Sequence, residues 1–407
     1  MKTQNKEPNI RFSQFKGLWK VVKLDSISQK VKSKNINNTF ENVLTNSAEF
    51  GIIPQRDFFD KDIANLKSLS GYYVVQPNDF VYNPRISNKA PVGPIKANFL
   101  NSTGVMSPLY YVFRTRDIDV FFLAKYFDSS YWHKFMKLNG DTGARSDRFA
   151  IKDSVFKEMP IPFPSYSEQS VIGSLFRTLD DLLASYKDNL ANYQSLKATM
   201  LSKMFPKAGQ TVPEIRLDGF EGEWEVVSLG TLIENYDEII SGASGFPIAT
   251  SSRKGLYLQN DYFEGGRTGI NLTLDFHRVP MGYVTYRHMS DDSIFKFNKN
   301  NFETDVLVSK EYPVFISNNH SDIDFLLYHL NNSRLFLRFS TMQKLGGTRV
   351  RLYYKNLITY KLAVPTVEEQ QAIGTYFSSL DSLITAHQEK ISQLETLKKK
   401  LLQDMFI

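Results

Sequence analysis

Apolar residues recur with a seven-residue period along two long stretches of the chain, one in the middle and one at the end. Each stretch has a main row spaced by seven and a second row three positions further on. Alternating spacings of three and four are typical of helices that pair in a coiled coil. The pattern predicts helices over residues 164–205 and 365–407, each of about 38 residues and about 57 Å long. The predicted interface between them comprises Ile172, Leu179, Tyr186, Tyr193, Met200, Ile373, Leu380, His387, Leu394 and Leu401, with Leu175, Leu182, Leu196, Tyr376, Leu383 and Leu397 in the second row.

The two stretches are copies of one another. Residues 163–205 align without a gap with residues 364–406, and both contain the pattern P-x-x-x-E-Q-x-x-I-G-x-x-F-x-x-L-D, at Pro164–Asp180 and Pro365–Asp381. Upstream of each, Asn9–Leu24 is similar to Glu214–Leu229. A repeat of about 200 residues is far longer than a solenoid period, so it predicts a duplicated unit of one domain and one helix.

Between these shared edges, the two copies diverge. Short apolar and aromatic runs alternate with turn residues, which predicts strands, and residues 120–138 and 322–340 each predict an amphipathic helix. Residues 240–255 predict a flexible loop. The fold class is therefore α+β, with two mixed domains, two long antiparallel helices and a pseudo-twofold internal repeat. The predicted plan is a polar tail (1–8), a first domain (9–163), a central helix (164–205), a linker (206–213), a second domain (214–364) and a C-terminal helix (365–407).

Composition narrows the class of protein. The chain of 407 residues contains no cysteine, which excludes disulfides and thiolate chemistry and is compatible with the cytoplasm. Neither a signal-peptide core nor a run of eighteen apolar residues is present, so no membrane association is expected. The net charge of +6 is uneven, because residues 1–205 carry +9 and residues 206–407 carry −3. A basic first half favours a polyanionic partner.

Motifs for catalysis are missing from the sequence. It contains no P-loop, no dinucleotide-binding glycine pattern, no metalloprotease or Cys/His metal motif and no nucleophile elbow. Tyr82-Asn83-Pro84-Arg85 resembles the Asn-Pro-Pro-aromatic loop of adenine methyltransferases, but it lacks the second proline and the aromatic residue. We therefore expect a turn there, no bound metal or cofactor, and a chain that is not itself an enzyme.

Basic residues in predicted loops are the candidates for nucleic-acid contact, because cations bind phosphates and arginine pairs with guanine. Two of the groups lie in glycine-rich turns at equivalent places in the repeat. Any one of these residues could instead be a solvated surface charge. The candidates are Arg85, Lys89, Lys96, Arg145, Arg148 and Lys152 in the first domain, and Arg253, Lys254, Arg267, Arg287, His288, Arg349 and Arg351 in the second.

The chain as a whole resembles the DNA specificity subunits of type I restriction–modification enzymes. The two helix starts carry most of the resemblance, together with the openings W-K-V-V-K-L and W-E-V-V-S-L and the phrases DFVYNPRIS and GVMSPLYYVFR. The resemblance implies two target-recognition domains that each read half of a bipartite, asymmetric site in double-stranded DNA. It also implies that the helices hold the domains apart and fix the gap between the half-sites.

Partners follow from the same resemblance. Two modification (methyltransferase) subunits, which carry S-adenosylmethionine, would dock on the outer flanks of the helices, and restriction (translocase and nuclease) subunits would join them. The specificity subunit would bring no cofactor of its own. Two alternatives stay open on the sequence: a coiled-coil assembly scaffold that does not bind DNA, and an unrecognised hydrolase or transferase.

Overall fold

The structure, a computed structural model, describes residues 7–58, 66–142, 147–262, 271–344 and 349–407. It divides into two compact units, of which unit 1 is Met1–Lys187 with Glu389–Ile407 and unit 2 is Asp188–Gln388. Each unit therefore contains one mixed domain, part of the central helix and part of the C-terminal helix. The units therefore differ from the two copies of the repeat. The end of the central helix belongs to unit 2, and the end of the C-terminal helix belongs to unit 1.

Unit 1 is built on a four-stranded antiparallel sheet of order β2-β9-β6-β7, with three further strand pairs, β1-β10, β3-β4 and β5-β8. Its strands are β1 (Lys20–Lys23), β2 (Ser28–Lys30), β3 (Leu44–Ser47), β4 (Gly51–Pro54), β5 (Tyr73–Val75), β6 (Phe80–Tyr82), β7 (Ile95–Ala97), β8 (Gly104–Met106), β9 (Tyr111–Thr115) and β10 (Pro160–Phe163). Its helices are α1 (Leu24–Ile27), α2 (Gln55–Phe58), α3 (Val120–Asp128), α4 (His133–Asn139), α5 (Asp153–Phe156) and the first part of α6 (Tyr166–Lys203).

Unit 2 repeats this plan with a four-stranded sheet of order β12-β21-β17-β19, a three-stranded sheet β13-β16-β20 and the pairs β11-β23, β14-β15 and β18-β22. Its strands are β11 (Glu225–Ser228), β12 (Ile233–Tyr236), β13 (Ile239–Ser241), β14 (Ala249–Ser252), β15 (Gly255–Leu258), β16 (Asp275–Val279), β17 (Val284–Tyr286), β18 (Met289–Ser290), β19 (Phe297–Lys299), β20 (Val306–Ser309), β21 (Val314–Ser317), β22 (Val350–Arg351) and β23 (Lys361–Val364). Its helices are α7 (Gln259–Tyr262), α8 (Ile323–Asn332), α9 (Arg334–Met342), α10 (Tyr354–Leu357) and the first part of α11 (Val367–Asp404).

The predicted α+β class and the two long helices are confirmed, and α6 and α11 each span 38 residues. They run antiparallel within each unit. In unit 1, Lys187 pairs with Glu395 and Asp180 pairs with Lys398, so residue numbers rise along one helix as they fall along the other. In unit 2, the ring of Tyr193 lies 5.1 Å from that of His387.

Three local predictions are wrong. Residues 120–138 form two helices rather than one, because the chain turns extended at Ser129 after α3. The stretch 322–340 breaks in the same way at Ser333, whose hydroxyl accepts hydrogen bonds from the first backbone N–H groups of α9. Residues 240–255 are not a loop, since β14 pairs with β15 in a hairpin and Ile248 bridges to Leu307.

The two rows of the predicted helix seam differ in burial. Ile172, Leu179, Ile373, Leu380 and Leu394 of the main row are buried. Tyr186, Tyr193, Met200, His387 and Leu401 are half-buried. However, four leucines of the second row are 36–44% exposed: Leu182, Leu196, Leu383 and Leu397.

The residue one place further along each helix is buried instead of the second row. Phe176, Leu183 and Phe377 take these positions and belong to the cores of their units. The reason is that each helix packs against its own domain as well as against the other helix, which rotates the buried stripe by one position.

The motif at each helix start is explained by the contacts of its polar residues. The carboxylate of Glu168 is buried and accepts hydrogen bonds from Arg11 at 2.7 and 2.9 Å and from the indole of Trp19 at 3.1 Å. In unit 2, Glu369 accepts from Arg216 at 2.8 and 2.6 Å. A buried carboxylate requires such partners, so the glutamate ties the helix start to the opening segment of its own repeat.

The glutamine and glycine of the motif fix the helix against the domain. Gln169 accepts a hydrogen bond from the backbone N–H of Asp119 at 2.8 Å, and Asp119 caps the start of α3. A side chain at Gly173 would place its Cβ 2.7 Å from the Asp119 carboxylate, so only glycine allows this approach. The same arrangement is found in unit 2 at Gln370, Asp322 and Gly374.

The Met-Phe at the end of each long helix completes the core of a unit. Phe406 is 2% exposed, and its ring lies 5.4 Å from that of Phe122 and 6.1 Å from that of Phe176 in unit 1. Phe205 occupies the corresponding place in unit 2, where its ring lies 5.4 Å from that of Phe325. The last two residues of each copy are therefore core residues of a unit, which explains why both copies end in Met-Phe.

A chain of ion pairs joins the long helices to the domain in unit 1. Asp180 pairs with Lys398 at 2.5 Å and with Lys125 at 2.7 Å, and Lys125 also pairs with Asp128 at 2.9 Å. Asp128 in turn binds Lys96 at 2.6 Å. Burial alone would raise the pKa of Asp128, but the charges and hydrogen bonds of the two lysines outweigh it and lower the pKa to about 2.

Candidate nucleic-acid interface

Cleft 1 lies in unit 1 and has a volume of about 660 Å³; it is lined mainly by residues 45–49, 83–89, 107, 109 and 110 and by Arg148. The hairpin of β3 and β4 forms one wall. The segment that follows β6 forms another, held by hydrogen bonds from Ile86 N–H to the Asp147 carbonyl and from Phe149 N–H to the Pro84 carbonyl. Cleft 1 is therefore formed where residues 147–149 pair with residues 84–86, the segment after β6.

Arg85 and Arg148 are directly opposite each other across this backbone pairing. Both side chains line cleft 1. Among the residues that the structure describes, the nearest carboxylate to Arg148 is that of Asp147 at 3.9 Å, and no ion pair is formed by Arg85. Like charges that face each other across strands repel, so this pair favours an anion or an electron-rich base edge in the cleft.

Amide groups form part of the wall of cleft 1. The side chain of Asn46 is buried and donates hydrogen bonds to the carbonyls of Val81 at 2.7 Å and Pro94 at 3.3 Å. Asn83 donates to the Asn46 carbonyl at 2.9 Å. The Asn46 Oδ1 has no hydrogen-bond partner within the described ranges. The two amides therefore hold the β3–β4 hairpin against the segment after β6 and fix the shape of the cleft wall.

Cleft 2 is the counterpart in unit 2, with a volume of about 570 Å³; it is lined by residues 250–254 and Arg349 and by most of residues 287–296. The β14–β15 hairpin takes the place of the β3–β4 hairpin, and the segment after β17 takes the place of the segment after β6. The guanidinium of Arg253 donates two hydrogen bonds to Asp292, at 2.8 and 2.5 Å. Arg349 pairs with Asp291 at 2.8 Å. The hydrogen bonds from Arg253 lower the pKa of Asp292 to about 2, so this carboxylate is charged at neutral pH.

Most of the basic residues predicted from the sequence line the clefts. The clefts bring together Arg85, Lys89 and Arg148 in cleft 1, and Arg253, Lys254, Arg287 and Arg349 in cleft 2. Lys152 lines a neighbouring cleft of about 680 Å³ that shares Arg148 with cleft 1. Arg351 is exposed, and its place opposite Met289 on β18 matches that of Arg148 opposite Arg85.

Two predicted residues stand apart from the clefts, and two others lie outside the described residues. Lys96 is engaged with Asp128, as described above. His288 is buried, its ring stacks on Tyr353 at 5.5 Å, and burial lowers its pKa, so it is neutral at physiological pH. Arg145 and Arg267 lie outside the described residues.

Several cleft residues were missed by the sequence analysis. Asn46 sits in a polar stretch that gives no signal of its burial. Asp291 and Asp292 carry the wrong charge for a DNA contact, and their role as partners of the cleft arginines follows only from the structure. Lys296 could have been found, because it lies between two phenylalanines, and such an alternation places the lysine on the opposite side from the core.

Neither a metal centre nor a membrane-spanning helix is found in the described part of the chain. No group of three or more potential metal ligands comes together there, and none of the helices is long and apolar enough to span a bilayer.

The comparisons agree with this picture. The family model for the type I restriction modification DNA specificity domain matches residues 222–396. Two specificity subunits of Methanocaldococcus jannaschii are similar: one named "Putative type I restriction enzyme MjaX specificity subunit" is 25% identical over 280 residues, and the type I restriction enzyme MjaVIII specificity subunit is 22% identical over 273. Each alignment covers 62% of the chain, which spans about 60% of the length of these relatives.

Among solved structures, the S subunit of a type I restriction-modification system from M. genitalium has a TM-score of 0.56 and is 13% identical, with 99% of each chain covered. At this level of identity, the similarity concerns the fold alone. The family model includes the second helix start, so it confirms the resemblance there, and residues 222–396 match the type I restriction modification DNA specificity domain.

Proposed function

We propose that this chain is the DNA specificity subunit of a type I restriction–modification complex. Cleft 1 reads one half of a bipartite, asymmetric site in double-stranded DNA, and cleft 2 reads the other half. The observation that carries the proposal is the repetition of the cleft: two units of different sequence build it from the same elements and line it with arginine. A protein that reads two unrelated half-sites needs a constant framework and two variable surfaces.

The facing pair Arg85 and Arg148 is the most specific feature of this interface, because Arg85 forms no ion pair with the described residues and Arg148 has only the carboxylate of Asp147 at 3.9 Å. Two guanidinium groups on opposed backbone positions can bind one phosphate together, or one can pair with guanine while the other binds the backbone. Either arrangement relieves their repulsion. We therefore assign the strongest single DNA contact of unit 1 to this pair.

The exposed leucines support docking of partner subunits on the helices. Leu182 and Leu397 belong to unit 1, and Leu196 and Leu383 belong to unit 2. Large apolar side chains that recur on an exposed helix face mark a protein contact. We assign them to two modification subunits, which supply S-adenosylmethionine and the methyl transfer, while restriction subunits complete the complex. The chain itself then has no catalytic role.

Methylome sequencing tests the whole proposal. A host that expresses the chain together with its modification subunit should acquire one N6-methyladenine motif of two short blocks around a fixed gap. The motif should disappear when the chain is omitted. Assembly of the complex without any chain-dependent motif would contradict the proposal and favour a scaffold without DNA specificity.

A second experiment tests cleft 1 directly. Arg85→Ala and Arg148→Ala should each weaken binding of the target duplex by about 1–3 kcal/mol if a base contact is lost, or reduce the salt slope by about one if a phosphate contact is lost. Arg116→Ala is the matched control, because Arg116 is exposed in the same unit and does not line the cleft. If both variants bind like the control, the assignment is refuted.

A third experiment tests the docking face. Leu182→Ser and Leu397→Ser should each weaken capture of the modification subunit by about 1–2 kcal/mol, the value of a partly buried leucine. Leu138→Ser is the control, since Leu138 is 75% exposed and lies on α4 rather than on a long helix. Unchanged capture by the double variant would show that the modification subunit binds elsewhere.

A further inference from the structure

Cleft 3 lies in unit 2, has a volume of about 520 Å³, adjoins cleft 2 and is lined by four lysines: Lys197, Lys254, Lys296 and Lys299. Two of its lysines, Lys254 and Lys296, also line cleft 2 and thus form the wall between the two clefts. A continuous basic surface therefore leads from the hairpin of cleft 2 to the side of the long helices in this unit.

Two of the four lysines in cleft 3 form ion pairs, and the other two form none with the described residues. Lys197 pairs with Asp381, and Lys299 pairs with Asp324 at 2.9 Å. Asp381 also accepts a hydrogen bond from the hydroxyl of Tyr328 at 2.8 Å, so both of its oxygens are engaged. Lys254 and Lys296 form no ion pair with the residues that the structure describes. The carboxylates that line this cleft are thus already used by the other two lysines.

Lys296 combines partial burial with the lack of an ion pair among the described residues. It lies between Phe295 and Phe297, which are 5% and 2% exposed, and it is itself half-buried. Burial lowers its pKa most, the nearby charge of Lys197 lowers it further, and the charge of Asp381 offsets part of this effect. An ammonium group that has lost part of its water and has no carboxylate at ion-pair distance is unfavourable, and a bound anion reduces that cost.

We propose that cleft 3 binds the sugar-phosphate backbone of the DNA whose bases are read in cleft 2, with Lys296 as the residue that anchors a phosphate at the wall between the clefts. The inference rests on the proposed function. It explains how a half of the chain with a net charge of −3 holds a polyanion, because Lys254 and Lys296, which form no ion pair with the described residues, both lie at the wall between clefts 2 and 3.

Salt dependence provides the test. The full chain, in complex with its modification subunit, is titrated with a random-sequence duplex, and the association constant is measured by fluorescence anisotropy from about 50 to about 200 mM KCl. Loss of one phosphate contact lowers the salt slope by about 0.9. When the salt rises over this range, the fold decrease in affinity should therefore be about three times smaller for Lys296→Gln than for the wild type. Lys296→Arg should restore the wild-type slope, because it keeps the charge.

Lys361→Gln is the matched control. It removes the same charge from unit 2, but Lys361 is exposed on β23 and lines neither cleft. A slope for Lys296→Gln equal to that of Lys361→Gln would overturn the inference. Failure of the proposed function is distinguishable, because it would appear in the wild-type complex as the absence of any salt-dependent DNA binding.

Discussion

Replacement of Lys96 by methionine tests whether this residue supports the fold or binds DNA. The sequence places Lys96 among the basic candidates, but its ammonium group lies 2.6 Å from the carboxylate of Asp128, which also binds Lys125. Side chains of Lys96 and Asp128 are only 24% and 20% exposed. The variant Lys96→Met keeps the apolar stem and removes the charge, so it leaves a mostly buried carboxylate with a single partner.

The magnitude follows from the pKa of Asp128. Its pKa is lowered from an ordinary value of 3.8 to about 2, which corresponds to about 2 kcal/mol of net stability after the opposing effect of burial is subtracted. The charge of Lys96 lowers this pKa more than the charge of Lys125 does. We therefore expect Lys96→Met to lower the free energy of unfolding by about 1–2 kcal/mol at pH 7, which is below the cost of breaking a fully buried ion pair.

Urea denaturation of wild type and variant at a series of pH values provides the assay. Because the pKa of Asp128 is lower in the folded state, its contribution is complete above about pH 4 and is lost as the pH falls towards 2. The gap in stability between the two proteins should therefore narrow over that range. The salt slope of DNA binding should not change. A constant gap would refute the electrostatic reasoning, and a reduced slope would return Lys96 to the DNA interface.

Three further changes test the joints between helix and domain. Gly173→Ala should destabilise unit 1 by about 1–3 kcal/mol, as judged by thermal unfolding, because its Cβ would lie 2.7 Å from the Asp119 carboxylate; a neutral effect would contradict the close approach. Glu168→Gln should cost about 1–3 kcal/mol and shift the fluorescence of Trp19, whose indole it binds; an unchanged spectrum would argue against that hydrogen bond. Phe406→Ala should cost about 3–5 kcal/mol and raise amide hydrogen exchange in unit 1 more than in unit 2; the reverse order would contradict the assignment of the C-terminus to unit 1.

The long helices and the strands could be predicted because their signals are local. A heptad row over 38 residues identifies a helix whatever it packs against, and the runs around Phe80–Tyr82 and Val284–Tyr286 alternate with turn residues on both sides. The internal repeat further predicts that the two long helices pair with each other. These features depend on spacing along the chain, which the sequence contains in full.

The face of the helix that becomes buried could not be predicted in the same way. Rows containing Leu182 and Leu183 both satisfy a heptad pattern, and only packing against the domain decides that Leu183 is buried while Leu182 is 42% exposed. Nor could the sequence separate Lys96 from Arg85. Both are basic and follow or lie in strands, but the carboxylate that neutralises Lys96 is 32 residues away in the chain.

The carboxylates of cleft 2 lead to a last prediction. Arg253 is held by Asp292, and both side chains are about half-exposed, so the pair contributes little to stability. A DNA phosphate that binds Arg253 must compete with this carboxylate. Asp292→Asn should therefore strengthen binding of any duplex and steepen its salt dependence, whereas Asp218→Asn, an equal change of charge at an exposed position outside the cleft, should have a smaller effect. Weaker binding by Asp292→Asn, with loss of discrimination between target and random duplexes, would instead mean that the carboxylate positions Arg253 for a base contact. In that case, unit 2 would depend on the geometry of its arginines, and unit 1 on the facing charges of Arg85 and Arg148.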